Sequence, residues 1–433
     1  MKVSIIGSGY VGTVSAACFA ELGHEVICID IDEEKVKQIN AGIPPIYEEG
    51  LKELMQKHAE HHLIATSDYD YAVANSDVSF ICVGTPSGDD GSIDLSIVRA
   101  ASASLGRAIA KKEGYHIVVV KSTVVPETTE KVVLSTIEEY SGKCAGNDFG
   151  IAMNPEFLRE GKAIYDFMHP DKIVIGAIDE RTSAIVSELY RSLDCEITHT
   201  NPKTAEMIKY VNNSFLATKI SFSNEIGNIC KKLGIDTYEV MQAVGTDFRI
   251  SPSFLNSGAG FGGSCFPKDV KALIGKAKDI DYDPLLLESV IEVNEQQPHR
   301  MVELLENKLG EGNIAGKRIA VLGLAFKNDT DDIRESRSIP VIAELLCLGA
   351  DVTAYDPMAS DEMKKVFNNI TYHISAAGTL KDADACLIMT EWDEFRNLDS
   401  EFGLMKNSIV IDGRHMIVPQ DIEQDIDYVG LCW

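Results

Sequence analysis

The sequence predicts an α/β protein: two doubly wound domains joined by a long central helix and a helical region. Three observations predict this. Short buried strands alternate with helix-length segments over roughly the first 200 residues. The same order of elements returns after about residue 313. Between them, 201–312 lacks a strand pattern and carries apolar residues at helical spacing. The expected domains are 1–200, 201–312 and 313–433.

The first strand is K-V-S-I-I-G, beginning at residue 2. It runs into a glycine turn, G-S-G-Y-V-G (7–12), and a helix reaching about Leu22. Further strand-like runs are E-V-I-C-I-D (25–30), V-S-F-I-C-V (78–83), H-I-V-V-V (116–120) and K-I-V-I (172–175). Strands spaced by helices need crossover connections, hence a parallel sheet. In the third domain, 317–323 parallels 2–7, 349–356 parallels 23–30, and 384–389 parallels 77–82. In the middle, Met207, Ile208, Val211, Phe215, Ile220, Phe222, Ile226 and Ile229 recur at helical spacing, with Pro202 and Thr204 as start signals and Gly234 as a stop. Part of that apolar surface is available for dimerisation.

Composition narrows the function. With 45% hydrophobic and 25% charged residues the chain is globular, because a disordered chain lacks the apolar surface to offset its ordering entropy. Forty basic against 67 acidic residues give a net charge of −27 with no basic run, which argues against a nucleic-acid partner. No apolar stretch approaches the roughly 18 residues of a membrane span. Ten scattered cysteines without a C-x-x-C pair argue against a disulfide framework and a zinc site, so a cytoplasmic enzyme with no metal is expected.

Five segments carry chemistry. The glycine turn follows a strand, opens a helix and is followed by Asp30 at the end of the next strand, which is the dinucleotide fingerprint. Gly7 makes the turn, Gly9 admits the pyrophosphate and Gly12 lets helix meet strand. Asp30 would accept from a ribose and repel a 2′-phosphate, so NAD is expected rather than NADP. The corresponding turn of the third domain keeps Gly323 but has Ala325 and Asn328, so a dinucleotide is not expected there. Its loop instead carries Lys327, Arg334 and Arg337, which suit a phosphate-bearing ligand. In GFGGSCFPKD (260–269), Cys265 falls at a predicted helix start, where the helix dipole favours a thiolate, and the glycines offer amides to an oxyanion. Lys209 and Asn213 share a helix face one turn apart, able to polarise an oxygen. NPEFLREG (154–161) sets Glu156 and Glu160 four apart around an arginine, a pattern open to acid–base work or to binding sugar hydroxyls.

Taken together, GSGYVGTVSAACFAELGH, CVGTPSGDDGSIDLS, KSTVVPET, NPEFLREGKAIYDFMHPDKIVIG, EMIKYVNNSFLA, GFGGSCFPKD, GLAFKNDTDDIRES and DGRH occur in one order along the chain. The chain resembles the UDP-glucose/GDP-mannose dehydrogenase family from end to end. The resemblance implies two Rossmann-like domains, the first binding NAD and the last a nucleotide sugar, with a central dimerisation region. It implies oxidation of a sugar C6 alcohol to a carboxylate with two NAD⁺. It also implies a catalytic set of Cys265 as nucleophile with Lys209, Asn213, Asp269, Glu156 and Thr123. The implied cofactor contacts are Gly7, Gly9, Tyr10, Val11, Gly12, Asp30, Lys35, Thr85 and Thr123. The implied substrate contacts are Glu156, Phe157, Leu158, Arg159, Glu160, Lys209, Asn213, Phe254, Leu255, Gly262, Phe326, Lys327 and Arg414, with Arg249 reaching a neighbouring subunit's substrate in a homodimer. NPEFLREG and GFGGSCFPKD favour UDP-glucose; GDP-mannose and UDP-N-acetylhexosamines remain the alternatives. Ser251 stands where the family usually has glycine, and Arg337 where proline is common.

Overall fold

The computed structural model describes residues 1–59, 61–88, 91–421 and 425–433; Asp89 and Asp90 of the CVGTPSGDDGSIDLS run lie outside them. The chain divides into two compact units, Met1–Asn212 and Asn213–Trp433. The helix Pro202–Leu233 is continuous through the division.

The first unit is built on eight strands: β1 (Lys2–Ile6), β2 (Glu25–Ile29), β3 (Leu63–Thr66), β4 (Val78–Ile81), β5 (His116–Val120), β6 (Phe149–Met153), β7 (Ile173–Ala177) and β8 (Ile197–Thr200). Their order is β3-β2-β1-β4-β5-β6-β7-β8. Every pairing is parallel except β6 with β7, which the sequence pattern alone did not disclose. Alternation along β1 sends Val3 and Ile5 into one apolar layer with Val14 and Phe19, and Ile6 into the other with Ile29, Val98 and Leu105. Both faces are thus covered, as a parallel sheet requires.

The second unit carries β9 (Arg318–Leu322), β10 (Asp351–Tyr355), β11 (Thr371–Tyr372), β12 (Ala385–Ile388), β13 (Ile409–Asp412) and β14 (Asp427–Gly430), all parallel. Their order, β11-β10-β9-β12-β13-β14, repeats the first six strands of the other sheet. The repetition extends to single groups. Lys2 opposes Glu25 in register and pairs with it at 3.4 Å; Arg318 opposes Asp351 and pairs at 3.2 Å. The Lys2 amide donates to Asp77, and the Arg318 amide to Asp384. Gly7 N–H donates to Ile29 and Gly323 N–H to Tyr355, both at 2.8 Å.

One acidic residue breaks the parallel. Asp356 occupies the position of Asp30 but is buried. Its oxygens accept from the amides of Leu324, Ala325, Met358 and Ala359 and from the Trp392 indole. With its acceptors engaged by protein donors, Asp356 has nothing to offer a ribose.

Helices Thr237–Gly245, Phe266–Lys278 and Leu285–Leu309 complete the second unit ahead of β9. Among the described residues no helix is long and apolar enough to cross a membrane, and no group of three His, Cys, Asp or Glu side chains is placed to hold a metal.

Candidate active site

In the first unit the expected cofactor residues lie beyond the carboxyl ends of the strands. The turn of 7–12 follows β1, Asp30 follows β2, Thr85 follows β4 and Thr123 follows β5. The sheet order reverses between β1 and β4, which is where doubly wound sheets receive ligands. Gly7 has φ +93°, closed to most side chains. A Cβ on Gly12 would lie 1.9 Å from the Gly7 carbonyl, whereas one on Gly9 would meet nothing within 4 Å. Gly9 therefore borders open space at the start of the helix Tyr10–Glu21, whose first turn has no side-chain cap. Uncapped amides facing open space suit a pyrophosphate, so these residues fit a dinucleotide. Asp30 accepts from the amide and hydroxyl of Ser8 and from the amide of Asp32. Burial alone would raise its pKa, but these hydrogen bonds and the charge of half-buried Lys35 hold it below the ordinary aspartate value. The charge expected of a ribose acceptor is thereby secured.

Two glycine substitutions separate fold from cofactor. Gly12→Ala is expected to destabilise the protein by about 1–3 kcal/mol, the usual cost of forcing a methyl into filled space. Gly9→Ala should leave the melting temperature within about 2 °C of wild type yet weaken NAD⁺ binding at least about tenfold, because its methyl takes the space of the phosphate. Calorimetric titration alongside thermal melts checks both; equal NAD⁺ affinity in Gly9→Ala and wild type would refute the assignment of this turn.

Past β6 the chain enters the 154–161 segment. Glu156 is buried, and Oε1 accepts from Lys209 Nζ at 2.9 Å while Oε2 accepts from the Leu158 amide at 2.6 Å. Burial works against its charge, but Lys209, through both its charge and its hydrogen bond, keeps the pKa below the glutamate norm, helped by the Leu158 amide and Lys121. Lys209 is itself buried, 5.4 Å from the Phe157 ring centroid. Leu158 and Glu160 are half-buried. Arg159 is not turned inward: it is exposed and forks onto Asp166 at 2.9 and 2.6 Å.

In the second unit Cys265 caps the helix Phe266–Lys278, with Pro267 in the first turn. It is half-buried, whereas Cys18, Cys28, Cys82, Cys230, Cys386 and Cys432 are buried. Burial pushes the thiols of Cys18, Cys28 and Cys386 far up, which makes them inert packing groups. Asp269, one turn on, is 1% exposed; Oδ2 accepts from Asn213 Nδ2 at 2.7 Å and Oδ1 from Lys268 Nζ at 2.6 Å.

The glycines before Cys265 are required by crowding. A Cβ on Gly262 would lie 2.3 Å from the Glu335 carbonyl, and one on Gly263 would lie 2.7 Å from the Phe326 ring. The Gly263 amide donates to the Arg334 carbonyl at 2.9 Å. Arg414 donates to the Met389 carbonyl beyond β12 and to the Gly260 carbonyl at 3.0 Å. The cysteine loop and the 326–337 loop are therefore held against each other within this unit. Lys327 is half-buried, with Nζ 6.0 Å from the Phe326 ring. Arg337 is buried, with its guanidinium 3.3 Å from Glu295 and 3.2 Å from Glu335. Leu255 is buried and Phe254 half-buried at φ +65°. Ser251 takes φ +66°, the left-handed conformation that explains a usual glycine there. Arg249 is exposed and paired with Asp247 at 2.5 Å, not gathered with Cys265 in this chain.

Several site-building residues escaped sequence reasoning. Buried Asn294 accepts from the Phe261 amide and donates to the Phe261 carbonyl; Asn224 accepts from the Gly258 amide, and Gln297 donates to the Gly258 carbonyl. Glu206, one turn before Lys209, accepts from the amides of Glu127 and Thr129, and burial pushes its pKa up to about 7. Lys121, lowered to about 8 by burial, donates to Asn154 at 3.1 Å. The available signal was a polar residue on an otherwise apolar helix face or at a strand end.

Three family models match this chain in order: the UDP-glucose/GDP-mannose dehydrogenase family NAD binding domain over 1–194, its central domain over 203–296 and its UDP binding domain over 320–419. The UDP-glucose 6-dehydrogenase AglM of Haloferax volcanii is 50% identical over 100% of both chains. A UDP-glucose dehydrogenase structure from Pyrobaculum islandicum superposes with a TM-score of 0.94 at 43% identity, covering 100% of this chain and 98% of that one. A UDP-D-ManNAc dehydrogenase structure from Pyrococcus horikoshii gives 0.88 at 30% identity, covering 100% and 99%. With a glycine turn open to a dinucleotide in the first unit, a helix-capping cysteine in the second, and matches along the whole chain, the protein belongs to the UDP-glucose/GDP-mannose dehydrogenase family.

Proposed function

We propose that this protein is a UDP-glucose 6-dehydrogenase, oxidising UDP-glucose to UDP-glucuronate in the cytoplasm as a homodimer. The observation that carries the reading is Cys265 at a helix start one turn from an Asp269 held by Asn213, whose own helix also carries Lys209. A two-electron alcohol dehydrogenase has no use for such a cysteine. The relatives named for UDP-glucose, at 43–50% identity, favour that sugar over N-acetylmannosamine, whose relative is 30% identical.

Bound NAD⁺, held by the 7–12 turn and Asp30, supplies the hydride acceptor, two equivalents for four electrons. Asp269, with an ordered water or Lys209, takes the C6 hydroxyl proton. The Cys265 thiolate, favoured by the helix amides, adds to the aldehyde carbon to give a thiohemiacetal. Lys209 and Asn213 stabilise the oxyanion as it develops. Oxidation of that adduct leaves a thioester. Glu156 then takes a proton from water, the water oxygen bonds to the thioester carbon, and the C–S bond breaks to return the thiolate. Thr123 is assigned a place near the reacting carbon. Lys327, Arg414, Phe326, Gly262, Phe254, Leu255 and the 157–160 run are assigned to the nucleotide sugar. Exposed Arg249 is assigned to the substrate of the partner subunit.

The test is purified protein with NAD⁺ and a panel of UDP-glucose, GDP-mannose and UDP-N-acetylhexosamines. Two NADH per UDP-glucose are expected, as two oxidations demand. One NADH with accumulated aldehyde would overturn the thioester route, and preference for another sugar would overturn the substrate.

A further inference from the structure

One buried acid has no part in this chemistry. Glu48, in the loop before the helix Leu51–His58, is 6% exposed. Its Oε2 accepts from the Tyr10 hydroxyl and from the Gly161 amide at 2.8 Å, and its Oε1 accepts from the Ala163 amide at 2.7 Å. The Tyr10 oxygen also accepts from the Gly161 amide at 3.2 Å. Among the described residues Glu48 forms no ion pair, so hydrogen bonds alone compensate its burial.

The donors come from two places. Tyr10 is the first residue of the helix after Gly9, so its backbone is part of the dinucleotide turn. Gly161 and Ala163 follow directly on the 156–160 run assigned to the sugar. Beside them is a cavity of about 570 Å³ bordered by Glu48, Arg159, Lys162, Tyr165 and His169. On that flank the segment lines an open cavity, and Glu48 joins the Leu158–Glu156 and Arg159–Asp166 hydrogen bonds in fixing its position, as the one of these anchors that reaches Tyr10. Burial first, then Glu48, pushes the Tyr10 phenol far above its ordinary pKa, so Tyr10 remains a donor.

We propose that Glu48 is a positioning residue that clamps the 156–163 substrate loop to the dinucleotide turn through Tyr10, so that NAD⁺ binding steadies the loop. The inference rests on the dehydrogenase reading for the identity of both ligands. A glutamine at 48 keeps the size but offers one acceptor oxygen in place of two, leaving a donor unmatched.

Amide hydrogen exchange of the full-length protein over 156–168 tests this without turnover. Glu48→Gln is expected to speed exchange there about tenfold, and NAD⁺ to slow it about threefold in wild type but not in Tyr10→Phe. In steady state Glu48→Gln should raise the nucleotide-sugar KM about tenfold while kcat changes less than about threefold, a split that general destabilisation does not produce. Should Glu48→Gln fail to fold, the NAD⁺ response of Tyr10→Phe decides. Unaltered exchange in Glu48→Gln, or NAD⁺ protection in Tyr10→Phe equal to wild type, would overturn the clamp. Turnover with no exchange effect overturns the clamp alone; the exchange effect without turnover on any sugar overturns the dehydrogenase reading alone.

Discussion

Cys265→Ser is expected to abolish net acid formation, lowering it by about 10³-fold or more, while the nucleotide sugar still binds within about threefold of wild type. Serine preserves the size and hydrogen-bonding reach at the start of the helix Phe266–Lys278, so the glycine loop keeps its packing on Phe326 and Glu335. What is lost is a thiolate. A hydroxyl at this position stays protonated near neutral pH, adds poorly to an aldehyde, and would give an ester where the thioester had been. A loss of about 10³ corresponds to about 4 kcal/mol of transition-state stabilisation. Acid production within tenfold of wild type would refute the nucleophile, and loss of sugar binding would show that the variant had disturbed the loop instead.

Lys209→Met should have the largest effect on stability. It removes the cation 2.9 Å from the buried Glu156 carboxylate. Breaking a buried pair from one side typically costs about 3–5 kcal/mol, because the remaining charge is stranded. The double variant Lys209→Met/Glu156→Gln should recover most of that loss while remaining inactive, since its site carries no stranded charge and no chemistry. The pH dependence has a definite sign. In wild type the Glu156 pKa is depressed, so its contribution is present above the unfolded glutamate value and is lost as pH falls through the folded one. Without Lys209, burial favours the protonated acid, so the variant is penalised most at pH 7–8 and least below about pH 4. Chemical denaturation across pH measures the difference; a gap that stays constant with pH would exclude Glu156 as its source.

The sequence disclosed most of the architecture because parallel sheets buried on both faces write themselves as short apolar runs. The echo of 2–7, 23–30 and 77–82 in the later chain proved to be a shared strand order. The antiparallel turn into β7 was not legible, since strand direction leaves no mark on an apolar run. In the candidate site, the glycine turn, Asp30 and Cys265 were legible because each needs a residue type that few other roles require. The supporting amides were not. Asn224, Asn294 and Gln297 sit in helices where an isolated polar residue looks like any surface position, and only the fold shows them meeting the glycine loop. Arg159 was legible as part of a ligand motif, but its pairing with Asp166, seven residues later, was not, because the turn that brings the two together leaves no periodic mark in the sequence.

The occupied carboxylate of Asp356 bears on how such a molecule diversifies. Two sheets of one strand order carry the same acid in the same bend, and in the second that acid braces its own backbone and Trp392. That half has closed itself to competition for the first ligand. Its outer loops are released to change with the second ligand, and changes there need not disturb the first. Restoring dinucleotide affinity to the later sheet would take more than replacing Ala325 and Asn328 by glycine; the tryptophan would have to be evicted and the bend held by other means.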